Sequence, residues 1–352
     1  RLKTPYSPPR VWESVNGNVQ TTEFYSVAYD PLTHRILGGA QDVGVAWQSG
    51  AGNASWTDLL ESDGGIVQIA AGGTYYFSNY GLRSFYRWTD TNFNGQVDGY
   101  QSPGTPAAGN EAQLVSLLVG ATGLKLTGLT IAGNPVDRTI QFIQPYILNT
   151  IKPQQMLIGT DFLYESFDQG DHLTRLVGPN GLRFGTVTAM AYGGNEPGVP
   201  KGRPEIAYMG AGGKLYLRDT AGAAFKELGN YPGSELRDIV LEPADWHAAY
   251  IIDAKGKVWR TTDAGATKWT DVTGDLNRFT RDLRTIEFVR TGNQSVLLVG
   301  GLGGVFRSID PREHGLWTEF GRSLPNTVVT DLHYDYLNDI LVAGTYGRGA
   351  WT

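Results

Sequence analysis

The chain has 352 residues, a formal net charge of −6, 47 glycines, 17 prolines and no cysteine. The acidic balance argues against nucleic acid or an anionic membrane as partner, because phosphate binding needs a cationic footprint. No run of about 18 apolar residues is present to span a bilayer, and without cysteine there are neither disulfides nor thiolate chemistry.

Five scattered histidines give no HxH or HExxH spacing, so the common zinc patterns are missing. No signal peptide is visible. The chain opens RLKTPYSPPR without Met, so it reads as a mature form, a fragment or an excised domain.

Glycine-rich turns between aromatic and β-branched runs point to an all-β chain. After a short strand at Val11–Val15 (VWESV), one pattern recurs, with units starting near Tyr25, Val67, Phe142, Val187, Leu236, Leu283 and Val328. It is clearest in Val240–Trp269, Ile147–Leu173 and Ile286–Trp317. Each copy has an apolar strand, a polar turn, a β-rich run ending near Gly, a second turn, and a strand closing on an aromatic or basic residue. A unit of roughly 40–50 residues with about four short strands is the signature of a propeller blade. The expected fold is therefore all-β: a single seven-bladed β-propeller over residues 1–352, with six and eight blades as alternatives.

The seventh unit stops at Thr352 after three strands. Val11–Val15 is expected to complete that blade beside the strand ending near Trp351, removing an open edge. Residues 98–140 are surplus to the repeat. Asp98–Asn110 (DGYQSPGTPAAGN) reads as a surface loop, and Gln113–Val119 and Lys125–Ile131 read as strands. The surplus is either an insertion in the second unit or a degenerate extra blade.

Asp90–Asp98 (DTNFNGQVD) has oxygen side chains at loop positions 1, 3, 5 and 9 and Gly95 at position 6. Calcium takes six to eight hard oxygen ligands, and a glycine at position 6 permits the sharp turn that such a loop needs. The candidate Ca²⁺ ligands are Asp90, Asn92, Asn94, the main-chain carbonyl of Gln96, and Asp98. Two Asn in place of Asp leave the loop only two carboxylates. The spacing resembles the DxDxDGxxD loops of integrin-type propellers.

Ser166–Leu173 (SFDQGDHL) and Thr261–Trp269 (TTDAGATKW) resemble the Asp-box, S/T-x-D-x-G-x-T-W, of sialidase-like and sortilin-like propellers. The second copy carries one extra residue, Lys268, before its Trp. Ser308-Ile309-Asp310 with Trp317, and Asp219–Phe225, look like degraded copies. In that family the box is a structural turn, so the resemblance assigns Ser166, Asp168, Thr261, Asp263 and Trp269 to folding rather than catalysis. Gly344–Trp351 (GTYGRGAW) resembles the closing turn of bacterial secreted propellers. This implies an extracellular, periplasmic or cell-surface location.

A sialidase would need an arginine triad and a Tyr–Glu pair, and a xyloglucan-hydrolase-like enzyme two opposed carboxylates. Neither set can be picked out, and Glu61, Asp63 and Glu235 are only acids on inter-strand loops. Nine Trp and 18 Tyr supply stacking surface for sugars or protein side chains. The expectation is a calcium-binding propeller that serves as a binding or structural module for a glycan or protein ligand. A carbohydrate-active enzyme is the alternative.

Overall fold

The computed structural model describes all residues except 1, 4–7, 9–10, 13–20, 93, 103–104, 106–108, 121–123, 128–136, 293 and 312–314. Seven small, mainly antiparallel sheets form the blades of a propeller. Their first strands are Phe24–Asp30, Gly64–Ala70, Tyr146–Leu148, Val187–Glu196, Leu236–Glu242, Leu283–Thr291 and Val328–Asp335. Each first strand packs on the first strand of the next blade, and Val328–Asp335 returns to Phe24–Asp30. These seven strands therefore wall a central channel.

The second strand of each blade is sandwiched between neighbouring blades. It is apolar on both faces and reads as a run rather than an alternation, as in Ala248–Ile252 (AAYII) and Ile206–Met209 (IAYM). The outer strands, such as Thr318–Phe320 and Lys226–Glu227, are exposed. The core is accordingly divided into seven apolar clusters, one per blade-to-blade interface. The two interfaces of blade 7 hold 6 buried apolar residues each, against 13 between blades 2 and 3. Blade 7 is thus the most thinly packed.

Close approach between blades needs residues without Cβ. A Cβ on Gly39 would lie 1.9 Å from the Gly65 carbonyl oxygen of the next blade, so any larger residue would push the two blades apart.

The interface between blades 3 and 4 also contains an ion pair. Arg218 Nη1 and Nη2 donate to Glu165 Oε2 and Oε1 at 2.8 and 2.6 Å, and both side chains are 5% exposed. Tyr192 donates its hydroxyl to the same carboxylate at 2.6 Å, and the guanidinium lies over the Tyr192 and Phe225 rings.

Two sequence expectations are corrected. Val11–Trp12 pairs with Leu2–Lys3 in a two-stranded ribbon, not with the strand Ala350–Trp351; residues 13–15 of the expected strand lie outside the described residues. Among the described residues blade 7 has three strands. The N-terminal segment does meet blade 7, but at Thr22–Glu23: Glu23 forms an antiparallel bridge with Tyr346, and the Thr22 carbonyl accepts from Gly347 and Gly349 N–H, while the first strands pack round the ring.

Among the described residues the surplus of 98–140 makes no extra blade. Ala112–Leu114 adds to the outer edge of blade 2, whereas Leu118–Val119 and Leu124–Lys125 add to the outer edge of blade 3. The expected strand Gln113–Val119 breaks between the two at Leu117, whose φ is +51°. Of the expected strand Lys125–Ile131, residues 128–131 lie outside the described residues.

Candidate functional site

The first strands have one edge in the blade and the other at the channel, where among the described residues no further strand pairs with them. The N–H groups on that edge need other acceptors. The chain supplies them with a repeated device. A register shift falls near the start of six first strands, and it re-aims the residue that follows. At four of these positions a side-chain oxygen accepts an N–H from the next blade. Ser26 Oγ takes Val67 N–H at 3.3 Å, and Asp238 Oδ2 takes Ile286 N–H at 2.8 Å. Thr285 Oγ1 takes Leu332 N–H at 3.2 Å, and Asp331 Oδ2 takes Val27 N–H at 2.8 Å across the ring closure.

Glu287 does the same one turn of the pleat further on. Its Oε1 accepts from Phe288 N–H at 3.0 Å and its Oε2 from Tyr334 N–H of blade 7 at 3.3 Å. Asp238, Glu287 and Asp331 thus gather in the channel, in a cavity of about 550 Å³ that also includes Gln68, Met190 and His333. Protein surrounds them, so burial raises all three carboxyls against the pull of their N–H donors. Asp238 rises to about 7, Glu287 to about 8 and Asp331 to about 6, and the charge of Asp331 adds to the rise of the other two. Burial lowers His333, with Asp335 opposing.

The channel has two unlike mouths. One, at the starts of the first strands, includes Tyr25, Pro145, Thr188 and Arg284. The other, at the hairpins that follow the first strands, carries Thr150, Asn195, Pro243 and Tyr336. Here Tyr336 is 50% and Leu337 76% exposed, and Asn338 Nδ2 reaches the Pro31 carbonyl at 3.4 Å beside exposed Leu32.

The Asp90–Asp98 loop lies at the rim of blade 2. Asp90 is 1% exposed; its Oδ2 accepts Gly95 N–H at 2.7 Å, while its Oδ1 has no partner among the described residues. Asn92 Oδ1 accepts Asn94 N–H at 3.1 Å, and Asn94 Oδ1 accepts Gln96 N–H at 2.7 Å. Asn110 donates its Nδ2 to Asn94 Oδ1 at 3.2 Å and to the Gln96 carbonyl. The fold therefore brings the oxygens of Asn94 and Gln96 together around one amide. Asn92 and Asp98 are exposed. Among the described residues no three His, Cys, Asp or Glu side chains form a metal-holding group, and this loop has only two carboxylates to offer.

The two Asp-box-like turns share one hydrogen-bond pattern. Ser166 Oγ and Thr261 Oγ1 donate to Asp168 and Asp263 at 2.9 and 2.7 Å, and accept from Gly170 and Gly265 N–H at 2.9 Å. The carboxylates then accept from His172 and Thr267 N–H at 2.9 Å. Burial raises both carboxyls, but these hydrogen bonds outweigh it and hold them below the usual range. Trp269 packs edge-on to Tyr231 at 5.2 Å. The groups are occupied in closing turns. Of the loop acids, Asp63 accepts Asp42 N–H at 3.0 Å and Glu235 faces Arg237 at 3.7 Å.

The sequence reading missed the channel staples, although a faint signal exists. Leu236-Arg237-Asp238-Ile239, Leu283-Arg284-Thr285-Ile286 and Val329-Thr330-Asp331-Leu332 align as apolar-x-oxygen-apolar at the head of a first strand.

No protein-family model and no curated protein matches the sequence. Among solved structures the chain is similar to the computationally designed Ika8 protein, with a TM-score of 0.54 and 12% identity over 94% of this chain and 96% of that one. At that identity the likeness shows the propeller fold alone. Among the described residues no helix is long and apolar enough to cross a membrane.

Proposed function

We propose that the chain is a calcium-binding propeller acting as a binding or structural module for a glycan or protein ligand, in an extracellular, periplasmic or cell-surface setting. The observation that carries this reading is the use of the channel acids. Asp238, Glu287 and Asp331 are the carboxylates that a channel enzyme would draw on, and each accepts backbone N–H groups that hold neighbouring blades together. In this reading these oxygens serve the fold, each taking an N–H from the neighbouring blade. The hairpin mouth offers a ligand what the channel wall does not: an exposed tyrosine for stacking and apolar side chains around it.

A glycan array run beside hydrolysis assays on generic polysaccharides tests the proposal. Binding without turnover is expected, with the signal lost in Tyr336→Ala. Hydrolysis abolished by Asp238→Asn or Glu287→Gln would overturn it and assign the channel to an enzyme.

Calcium belongs to the same proposal because Asp90 Oδ1 is buried and without a partner among the described residues, the kind of oxygen a hard cation completes. Asp90, Asn94 and the Gln96 carbonyl would hold the ion, with Asn92 and Asp98 closing over it. Calcium is expected to raise the melting temperature, since a ligand bound by the folded state alone stabilises it by mass action. Asp90→Ala with Asp98→Ala should erase that shift, and magnesium should substitute poorly because it demands a smaller octahedral cage. Calorimetry on chelator-stripped protein that registers no calcium uptake at millimolar concentration would refute the site.

A further inference from the structure

We infer that Asn110 is the plug of the Asp90–Asp98 loop: its amide nitrogen holds the place of the cation, and calcium binding requires that amide to leave. The inference rests on the calcium reading given above and adds its gate.

The geometry is specific. Asn110 Nδ2 donates to two oxygens of the proposed ligand set, Asn94 Oδ1 at 3.2 Å and the Gln96 carbonyl. The other end of the amide is fixed. Its Oδ1 accepts from Trp88 Nε1 at 3.3 Å and from Thr91 N–H at 3.1 Å. A flip would set the NH₂ group against these two donors, so the hydrogen bonds themselves assign the orientation. The residue is 2% exposed. A donor group is therefore buried where two loop oxygens converge, while Asp90 Oδ1 in the same turn stays without a partner among the described residues.

Calcium sits about 2.3–2.6 Å from its oxygen ligands. A nitrogen bonded to the same two oxygens occupies that volume, so ion and amide exclude each other. Binding must break both donor contacts, and the affinity is lower than the ligand count alone would give. The exchange is also transmitted. The Asn110 carbonyl accepts Asp98 N–H at 3.0 Å, and the strand Ala112–Leu114 follows directly. Expulsion of the side chain disturbs the Trp88 indole and the outer edge of blade 2, giving the site an optical reporter.

The chain's own chemistry supplies the test. In Asn110→Asp, one carboxylate oxygen retains the Trp88 and Thr91 contacts, and the other replaces the donor with a third charged ligand. Calcium affinity is tuned by ligand charge, so isothermal titration should show binding tighter by about tenfold or more than in the parent chain. Asn110→Ala, which removes the plug without adding a ligand, should fall between them. Circular dichroism and melting with and without calcium establish that each variant is folded. Tryptophan emission should respond to calcium in the parent chain and lose much of that response in Asn110→Ala.

The outcomes separate the two ideas. If the parent chain binds calcium and Asn110→Asp binds equally or more weakly, the plug is wrong and the calcium site stands. If Asn110→Asp binds while the parent chain does not at about 10 mM, above the range of extracellular calcium modules, the plug stands and the native site is closed to calcium. If neither binds, both are wrong.

Discussion

Replacing Arg218 with Met is expected to destabilise the protein by about 3–5 kcal/mol, because it strands a buried carboxylate. Glu165 lies between blades 3 and 4, 5% exposed, and takes two hydrogen bonds from the guanidinium. Without Arg218 it retains Tyr192 O–H as its side-chain donor. The guanidinium also covers the Tyr192 and Phe225 rings, so part of its loss is packing. The cost should appear as a lower urea midpoint with an unchanged slope. Glu165→Leu combined with Arg218→Met removes both charges, and should cost less than Arg218→Met alone. A single-variant loss under about 1 kcal/mol would mean that water reaches the pair and screens it.

This pair illustrates where sequence reading stops. The blades were legible because each second strand, buried on both faces, writes an unbroken apolar run, as Ala248–Ile252 does between polar turns. The Asp-box-like turns were legible because their partners lie within a few residues: Ser166 with Asp168, and Thr261 with Asp263 and Thr267. Glu165 and Arg218 are 53 residues apart, and nothing local marks either as buried. The same holds for Asp331, whose N–H donor Val27 is 304 residues away.

The failures have local causes too. Val11–Trp12 has the apolar character of a closing strand, but Leu2–Lys3 is a nearer partner. The run Gln113–Val119 reads as one strand because its hydrophobicity is continuous. Its break is conformational, at Leu117 in the left-handed region, where the chain changes blades. In the Asp90–Asp98 loop the spacing was visible. The plug was not, because Asn110 lies at the far end of the intervening excursion.

The channel carboxyls should make the protein less stable as the pH rises through neutrality. A carboxyl raised in the folded state keeps its proton over a range in which the unfolded chain has lost it. The folded state then binds more protons, and stability falls with pH across that window. The window opens near the unfolded values of about 4. It closes near 6 for Asp331, 7 for Asp238 and 8 for Glu287. Below about 6.5 the lowered His333 acts in the opposite sense, since the unfolded chain protonates it first. The lowered carboxyls of Asp168 and Asp263 add stability as pH rises, but that gain is complete by about pH 5. In the range from about 6.5 to 8 Asp238 and Glu287 titrate, together with His172, which its hydrogen bond to Asp168 raises. Each of the two carboxyls should contribute a fall on the order of 1 kcal/mol per pH unit while it titrates. The triple variant Asp238→Asn, Glu287→Gln, Asp331→Asn removes the charges and keeps one acceptor oxygen per residue for the N–H groups of Ile286, Tyr334 and Val27, while Ile239 and Phe288 N–H lose theirs to an amide NH₂, a loss that does not depend on pH. Its stability should fall less steeply than that of the parent chain over this range, so that the difference between the two narrows or reverses toward pH 8. His172 and its partner Asp168 are common to both proteins, so they cancel in the difference. Parallel curves for the two proteins would show that the channel carboxylates are ionised at neutral pH and solvated by channel water. In that case Asp238, Glu287 and Asp331 would form a negatively charged pore lining instead of a set of neutral staples.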